Sequence, residues 1–396
     1  MTSFERPDDR QADSSPSNSA KVTSLPRVKD LTQTERRTSI ETDGSAVYDM
    51  LLTLWSVFGD QEDLSSFELG AEWFSEVRDA VPADLAEELV FLCGPGEDVW
   101  LAIAGLIALS PYPHDIDSVL GWLGRIDPVE LRSAILLHKC GGHGEDRAPL
   151  AEKAAGGDAE ALEQLLTASE IAEHPEAASR YRELMAVPMP DLRDRIAAAL
   201  TRFRLEVYRP YEEQFGQATS RAAAARRALT RGAHPERVIE DVTNGLDYRI
   251  QPGVNRLVLI PSVVLRPWAV IDQHRDALGV FYAVADEFLD ADPDAPPSWM
   301  VKLHKALGDE RRLRILRRLS EGSAGLEDLS EMLGLSKSTV HHHVGQLRAA
   351  GLVRVSLDPS AGTKTYTLRS AVLPEAARTL DDYLRTSTAA QTGSER

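Results

Sequence analysis

The sequence predicts a mainly α-helical protein with a small antiparallel β-sheet, and three observations carry that reading. From Ser45 to about Gln217 apolar residues recur at the three-to-four spacing of helices with one buried face. Between Leu246 and Val284 the pattern changes to short apolar runs, broken by Pro252-Gly253 and by Pro261 and Pro267. From Leu303 the helical period returns and closes in two strand-like runs.

Residues 1–43 are rich in Ser, Thr, Asp, Arg and Pro with almost no aromatics, so they are expected to be disordered. A basic arm on DNA is disfavoured there, because acidic residues alternate with the basic ones. Residues 44–289 are expected to form a mostly helical domain with a sheet near 247–284, serving sensing or assembly. Tyr48, Leu51, Leu52, Trp55 and Phe58 make one stripe; Phe67, Trp73, Phe74 and Val77 make another. The run Val99–Leu109 is about half a membrane span and reads as a buried helix. Asp127-Pro128-Val129-Glu130 is a helix start with a carboxylate cap, proline in the first turn and Glu at the capping-box position, and Leu131, Ile135 and Leu136 line that helix. Asp158 caps another helix, with Ala161, Leu162, Leu165 and Leu166 behind it. A helical stretch from Asp191 to about Arg231 should break or kink at Pro210. Tyr248 and Ile250, Arg256–Ile260 and Gly279–Val284 read as strands of a three- or four-stranded antiparallel sheet. Residues 290–298, with Pro293, Pro296 and Pro297, are an acidic linker, and 389–396 a tail.

The last region, 299–388, is the most informative. Asp309 is placed to cap a helix carrying Leu313, Leu316 and Leu319; Leu326, Leu329 and Leu333 form the next stripe. Gly334 supplies the backbone freedom a helix end needs, and Ser336 caps the next helix. On that helix Val340, Val344 and Leu347 must face inward, while Lys337, Ser338, His341, His342 and Gly345 take the opposite face. A cation, a hydroxyl and imidazoles beside a glycine suit a major groove. Leu352–Ser356 and Lys364–Leu368 flank a wing loop, Asp358–Thr363. The arrangement is a winged helix-turn-helix.

Leu335 to Val353 resembles the arsenic-repressor (ArsR) type of winged-helix regulator. The family's Leu-Ser-x-Ser-Thr-Val, then x-x-His-Leu, then Leu-Arg-x-Ala-Gly-Leu-Val is present, with Val344 replacing the Leu. The resemblance covers about a fifth of the chain. It implies a homodimeric transcription factor that lays the 336–350 helix in the major groove of double-stranded DNA. Ser336, Lys337, Ser338, Thr339, His341 and His342 are then the expected base-side residues, and Arg348, Arg354 and Lys364 the phosphate contacts. Dimerisation would use helices around Leu303 and Leu307 and around Leu373, Leu380 and Leu384, and the expected action is repression at an inverted repeat. The front part also looks like the long N-terminal region of some actinobacterial regulators, through its helices, Leu259-Ile260-Pro261-Ser262 and Pro267-Trp268.

Charge agrees with a nucleic-acid surface. Met300–Arg369 holds twelve Lys and Arg against seven Asp and Glu, a net +5 in a chain of net −18. The acidic remainder should stay off DNA. Two distant cysteines, Cys93 and Cys140, suggest a reducing compartment, and no secretory leader is visible, so a cytoplasmic protein without membrane contact is expected.

Other chemistry is poorly supported. The thiolate pair of metal-sensing relatives would fall near Leu326–Asp328, where no Cys stands, and the last helix, Ala371–Leu384, has Asp381 and Asp382 but no His. His138, Cys140 and His143 lack a fourth zinc ligand, and Cys140 reads as a small buried residue at a helix end. His341-His342-His343 cannot chelate one ion from a helix, where neighbours point about 100° apart. No metal, cofactor or catalytic residue is therefore assigned. Trp55, Trp73, Trp100, Trp122 and Trp268 read as core; an organic effector, if bound, would sit between the front helices and the 247–284 sheet. Two rival classes are an enzyme with a regulatory module, using Cys140 and His143, and a protein whose acidic helical domain recruits a partner.

Overall fold

The structure, a computed structural model, describes residues 38–59, 64–93, 98–111, 113–140, 147–289, 298–358, 363–369 and 380. A strand, β1 (Ser39–Thr42), leads into α1 (Ala46–Phe58), whose N-cap Ser45 accepts from the Val47 amide. The helices α2 (Gly70–Asp79), α3 (Ala83–Cys93), α4 (Asp98–Leu109) and α5 (Ile116–Leu123) come after it, and α1 packs against all four. Next come α6 (Pro128–Cys140), α7 (Ala148–Ala155), α8 (Ala159–Thr167), α9 (Pro175–Ala186), α10 (Met189–Phe203), α11 (Arg209–Leu229) and α12 (Pro235–Val242). Along α4 every residue from Val99 to Ala104 is buried, as its apolar run requires. The expected caps are present: Asp127 accepts from the Val129 amide at 2.9 Å, and Asp158 from the Glu160 and Ala161 amides at 3.0 and 3.1 Å.

At Pro210 the chain solves its missing donor locally. Residues 204–208 form a π-turn between α10 and α11, the Arg209 amide reaching back to the Arg204 carbonyl, and Pro210 falls in the first turn of α11.

The front sheet departs from expectation. Its strands β3 (Arg256–Ser262), β4 (Ala269–His274) and β5 (Ala277–Ala283) join β1 in the order β1-β3-β5-β4. Only β4 and β5 are antiparallel; β1–β3 and β3–β5 are parallel, so the sheet is mixed. Residues 263–268 carry the chain past β5, and β4 therefore returns along its far side. Alternation reveals a strand's faces but not its neighbours, and polar Asp272-Gln273-His274 hid β4 altogether. Of the segment expected to be disordered, Ser39–Thr42 pair with Arg256–Leu259, while residues 1–37 lie outside the described residues. The strand expected at Tyr248 forms as β2 (Leu246–Tyr248) but joins a different sheet.

That second sheet belongs to the C-terminal region, built from α13 (Ser298–Leu307), α14 (Glu310–Ser320), β6 (Ala324–Gly325), α15 (Leu326–Leu333), α16 (Lys337–Ala349), β7 (Val353–Asp358) and β8 (Thr363–Leu368). The order is β2-β7-β8-β6, with β2 parallel to β7. Residues 290–297, the wing tip 359–362, the expected helix 371–384 apart from residue 380, the tail 389–396 and His143 all lie outside the described residues. Among the described residues, no helix is long and apolar enough to cross a membrane, and no group of three or more His, Cys, Asp or Glu is placed to hold a metal ion.

Three apolar clusters of described residues organise these elements. One fills the front helices around Trp100 and Tyr48; a second joins α12 to β3 and β5; the third is the core of the C-terminal region. At the end of β3 Asp49 is wholly buried on α1 and accepts from the Ser262 hydroxyl and, at 2.9 Å, from the Val263 amide. Burial raises its carboxyl to about 6 against those bonds.

Candidate nucleic-acid interface

Local chemistry sets the angle between α15 and α16. Gly334 adopts φ 65°, and its amide and that of Leu335 return to the Ser330 carbonyl at 2.9 and 3.2 Å, closing α15. Ser336 caps α16, accepting from the Thr339 amide at 3.2 Å. Upstream, Asp309 caps α14 as expected, accepting from the Arg312 amide at 3.0 Å. Val340, Val344 and Leu347 are buried against Ile315, Leu316 and Leu329, so the rotation of α16 about its axis is fixed by apolar packing.

That rotation leaves Ser336, Lys337, Ser338 and His341 exposed at the N-terminal half of α16, while Thr339 is half-buried. Lys337 meets Glu327 at 2.9 Å with both side chains mostly in solvent. His342 is half-buried and shares a 2.8 Å hydrogen bond with Gln346, which in turn accepts from Arg312. His343 turns inward and is buried, with neither ring nitrogen partnered.

Of the three expected phosphate contacts, Arg348 is not on an open surface. Arg348 is only 9% exposed; its guanidinium donates to the Thr243 carbonyl at 3.2 Å and stands 5.7 Å from the Trp268 ring centroid. Burial pulls it down to about 10. Arg354 pairs with Glu240. Lys364 is exposed, its ammonium 5.9 Å from the Tyr366 ring centroid. Partial desolvation of its ring, then the nearby charges of Lys364 and Arg348, hold the His341 imidazole below its ordinary pKa, and the three side chains make one patch between α16 and β8.

The front region reaches into this patch at points that sequence reading missed. Asn244 donates to the Arg348 and Ala349 carbonyls at 3.3 and 3.2 Å, closing the end of α16, and Arg369 donates to Asn244 at 3.0 Å. Trp268 lies on Gly345: a Cβ there would stand 2.1 Å from the ring. The close approach expected of Gly345 is thus used by an indole. Pro267-Trp268 was legible as a motif, but no local signal says which helix it touches.

Comparison with known proteins matches part of the C-terminal region to a family. Residues 309–355 match the model of the bacterial regulatory protein, arsR family. The C-terminal region carries an ArsR-family domain. Among curated proteins the chain is similar to the transcriptional activator HlyU of Vibrio cholerae serotype O1, at 41% identity over 70 residues. The aligned part is 18% of this chain and 63% of that relative, so the match spans under two thirds of the relative's length. No solved structure matches the chain. The ArsR-family domain therefore accounts for the end of the molecule, and the front region stands outside the comparison.

Proposed function

We propose that this protein is a sequence-specific, DNA-binding transcriptional regulator that reads the major groove with α16. The observation carrying the reading is the exposed N-terminal half of that helix, Lys337, Ser338 and His341, presented by an ArsR-family domain whose core fixes its rotation. Ser336, Thr339 and His342 border the same surface; Lys364 is the exposed cation of the three expected at phosphates, while Arg348 and Arg354 reach one by leaving Thr243 and Glu240.

The protein acts as a homodimer on an inverted repeat whose half-site centres lie one helical turn, about 34–36 Å, apart. Leu303 is buried in its own core, so of the described residues first expected at the dimer interface it is the least able to contribute. Repression by blocking the promoter is the sign we infer; the relative is named an activator, and transcription in vitro with and without the protein distinguishes the two.

Control comes from an organic small molecule held by the front region. A cavity of about 400 Å³ lies where α4 and the α5–α6 junction face the β4–β5 turn, lined by Trp122, Leu106, Arg125, Glu130 and His274. His274 is 5% exposed, its Nε2 is without a partner, and burial lowers its pKa to about 4. The enzyme alternative has little support, since Cys140 is fully buried at the end of α6 and open to no substrate.

A gel shift of the full chain on DNA from upstream of its own gene tests the function. A retarded band that survives competitor DNA is expected; no retardation at low salt rejects it. Titrating arsenite, zinc, cadmium and a metabolite panel into the preformed complex tests the control. Release by an organic metabolite is expected, and release by a soft metal at low concentration rejects the assignment.

A further inference from the structure

The DNA-reading face of α16 is half covered by this protein's own front region. Ser338, His341, Gly345 and Arg348 succeed one another at spacings of three, four and three, so they line a single stripe of the helix. The first two are exposed. Over the last two lies Trp268, against Gly345 and 5.7 Å above the Arg348 guanidinium.

The corner presenting Trp268 is firmly held. Arg266, 5% exposed, donates to Glu68 at 2.7 and 3.0 Å and pairs with Asp286. Lys302 of α13 joins the same carboxylates, at 2.7 Å from Glu68. Arg348, by contrast, is a poorly compensated cation. It is nearly buried, donates to the Thr243 carbonyl and has no carboxylate partner among the described residues. Burying an unpaired charge is costly, and this one gains a counter-charge when a phosphate replaces the indole.

We propose that Trp268 is an intramolecular plug on the DNA-binding face, an autoinhibitory contact that DNA must displace to reach Arg348. The inference rests on the DNA-binding reading above and adds its regulation. Two occupants compete for one stripe, so the apparent affinity for DNA is reduced by the fraction of molecules in which the plug is open. Strand β4 begins at Ala269, directly after Trp268, and ends at His274 beside the 400 Å³ cavity, which places the plug and the cavity at opposite ends of one strand.

The experiment compares full-length wild type and Trp268→Ala by fluorescence anisotropy on a labelled duplex of mixed sequence, across a salt series. Nonspecific binding is electrostatic, so no operator is needed. Trp268→Ala is expected to bind about tenfold tighter at an unchanged salt slope, because Arg348 engages a phosphate in both complexes once the plug is out of the way. Adding Arg348→Ala should flatten the slope by about one unit. Equal affinity for wild type and Trp268→Ala overturns the plug while DNA binding stands. If neither binds at low salt, the DNA-binding reading falls and the plug with it. Should Trp268→Ala fold poorly, hydrogen exchange on the wild type decides. DNA is expected to protect amides of 337–348 while loosening those of 265–274; unchanged or increased protection at 265–274 overturns the proposal.

Discussion

Replacing Gly345 with Ala tests the packing of α16 against the front region directly, because the geometry predicts opposite signs in two backgrounds. An alanine Cβ would lie 2.1 Å from Cη2 and 2.5 Å from Cζ3 of Trp268, far inside contact distance for a rigid ring. Overpacking of this kind costs about 1–3 kcal/mol. A helical Gly→Ala change otherwise gains up to about 1 kcal/mol from backbone propensity. In wild type the clash cancels or outweighs the gain, and the expected net effect is a loss of about 0–2 kcal/mol. In the Trp268→Ala background the clash is gone and the gain remains. The four-protein cycle should then show a coupling of about 1–3 kcal/mol between positions 345 and 268. Denaturant midpoints tracked by circular dichroism measure it. Additivity within about 0.5 kcal/mol would refute the contact, since residues that do not touch do not couple.

Three further outcomes rest on the same structure. Lys337→Ala should weaken binding to the operator by about 1–3 kcal/mol with little change on random DNA, whereas Lys364→Ala should weaken both and flatten the salt slope by about one unit; the reverse pattern in anisotropy would displace α16 from the groove. Buried His274 titrates near 4 instead of 6.5, so it contributes stability present above pH 6.5 and lost as pH falls toward 4, about 3 kcal/mol in all. Asp49, raised to about 6, works in the opposite sense over much of that range, so the measurement is the difference between His274→Phe and wild type, which should grow in the variant's favour from pH 7 to pH 4 and not stay flat. Asp49→Ala strands the buried Ser262 hydroxyl and Val263 amide and should lower stability by about 2–4 kcal/mol in denaturant unfolding, with Asp49→Asn losing about half as much; an alanine variant as stable as wild type would remove Asp49 from its bracing role.

The features legible in the residues alone were those that depend on near neighbours. Asp127, Asp158, Asp309 and Ser336 cap helices because a side-chain oxygen finds amides two or three positions along, and Gly334 turns because one residue must adopt positive φ. The spacing of Val340, Val344 and Leu347 fixed which face of α16 is core, and so which residues oppose it. Pairing between distant segments has no such signal. That Ser39–Thr42 would add to β3 and that β2 would lie along β7 rather than in the front sheet depended on closures of more than a hundred residues. Nothing in the runs Ser39–Thr42 or Leu246–Tyr248 encodes a partner. The same is true of Arg348. Its charge and place on α16 suggest a phosphate contact, yet burial beneath Trp268 is a property of two surfaces meeting, decided by shape at Gly345 and by the anchored Arg266 corner. Local rules thus determined the winged helix-turn-helix, and only the tertiary structure decided how much of its α16 is uncovered.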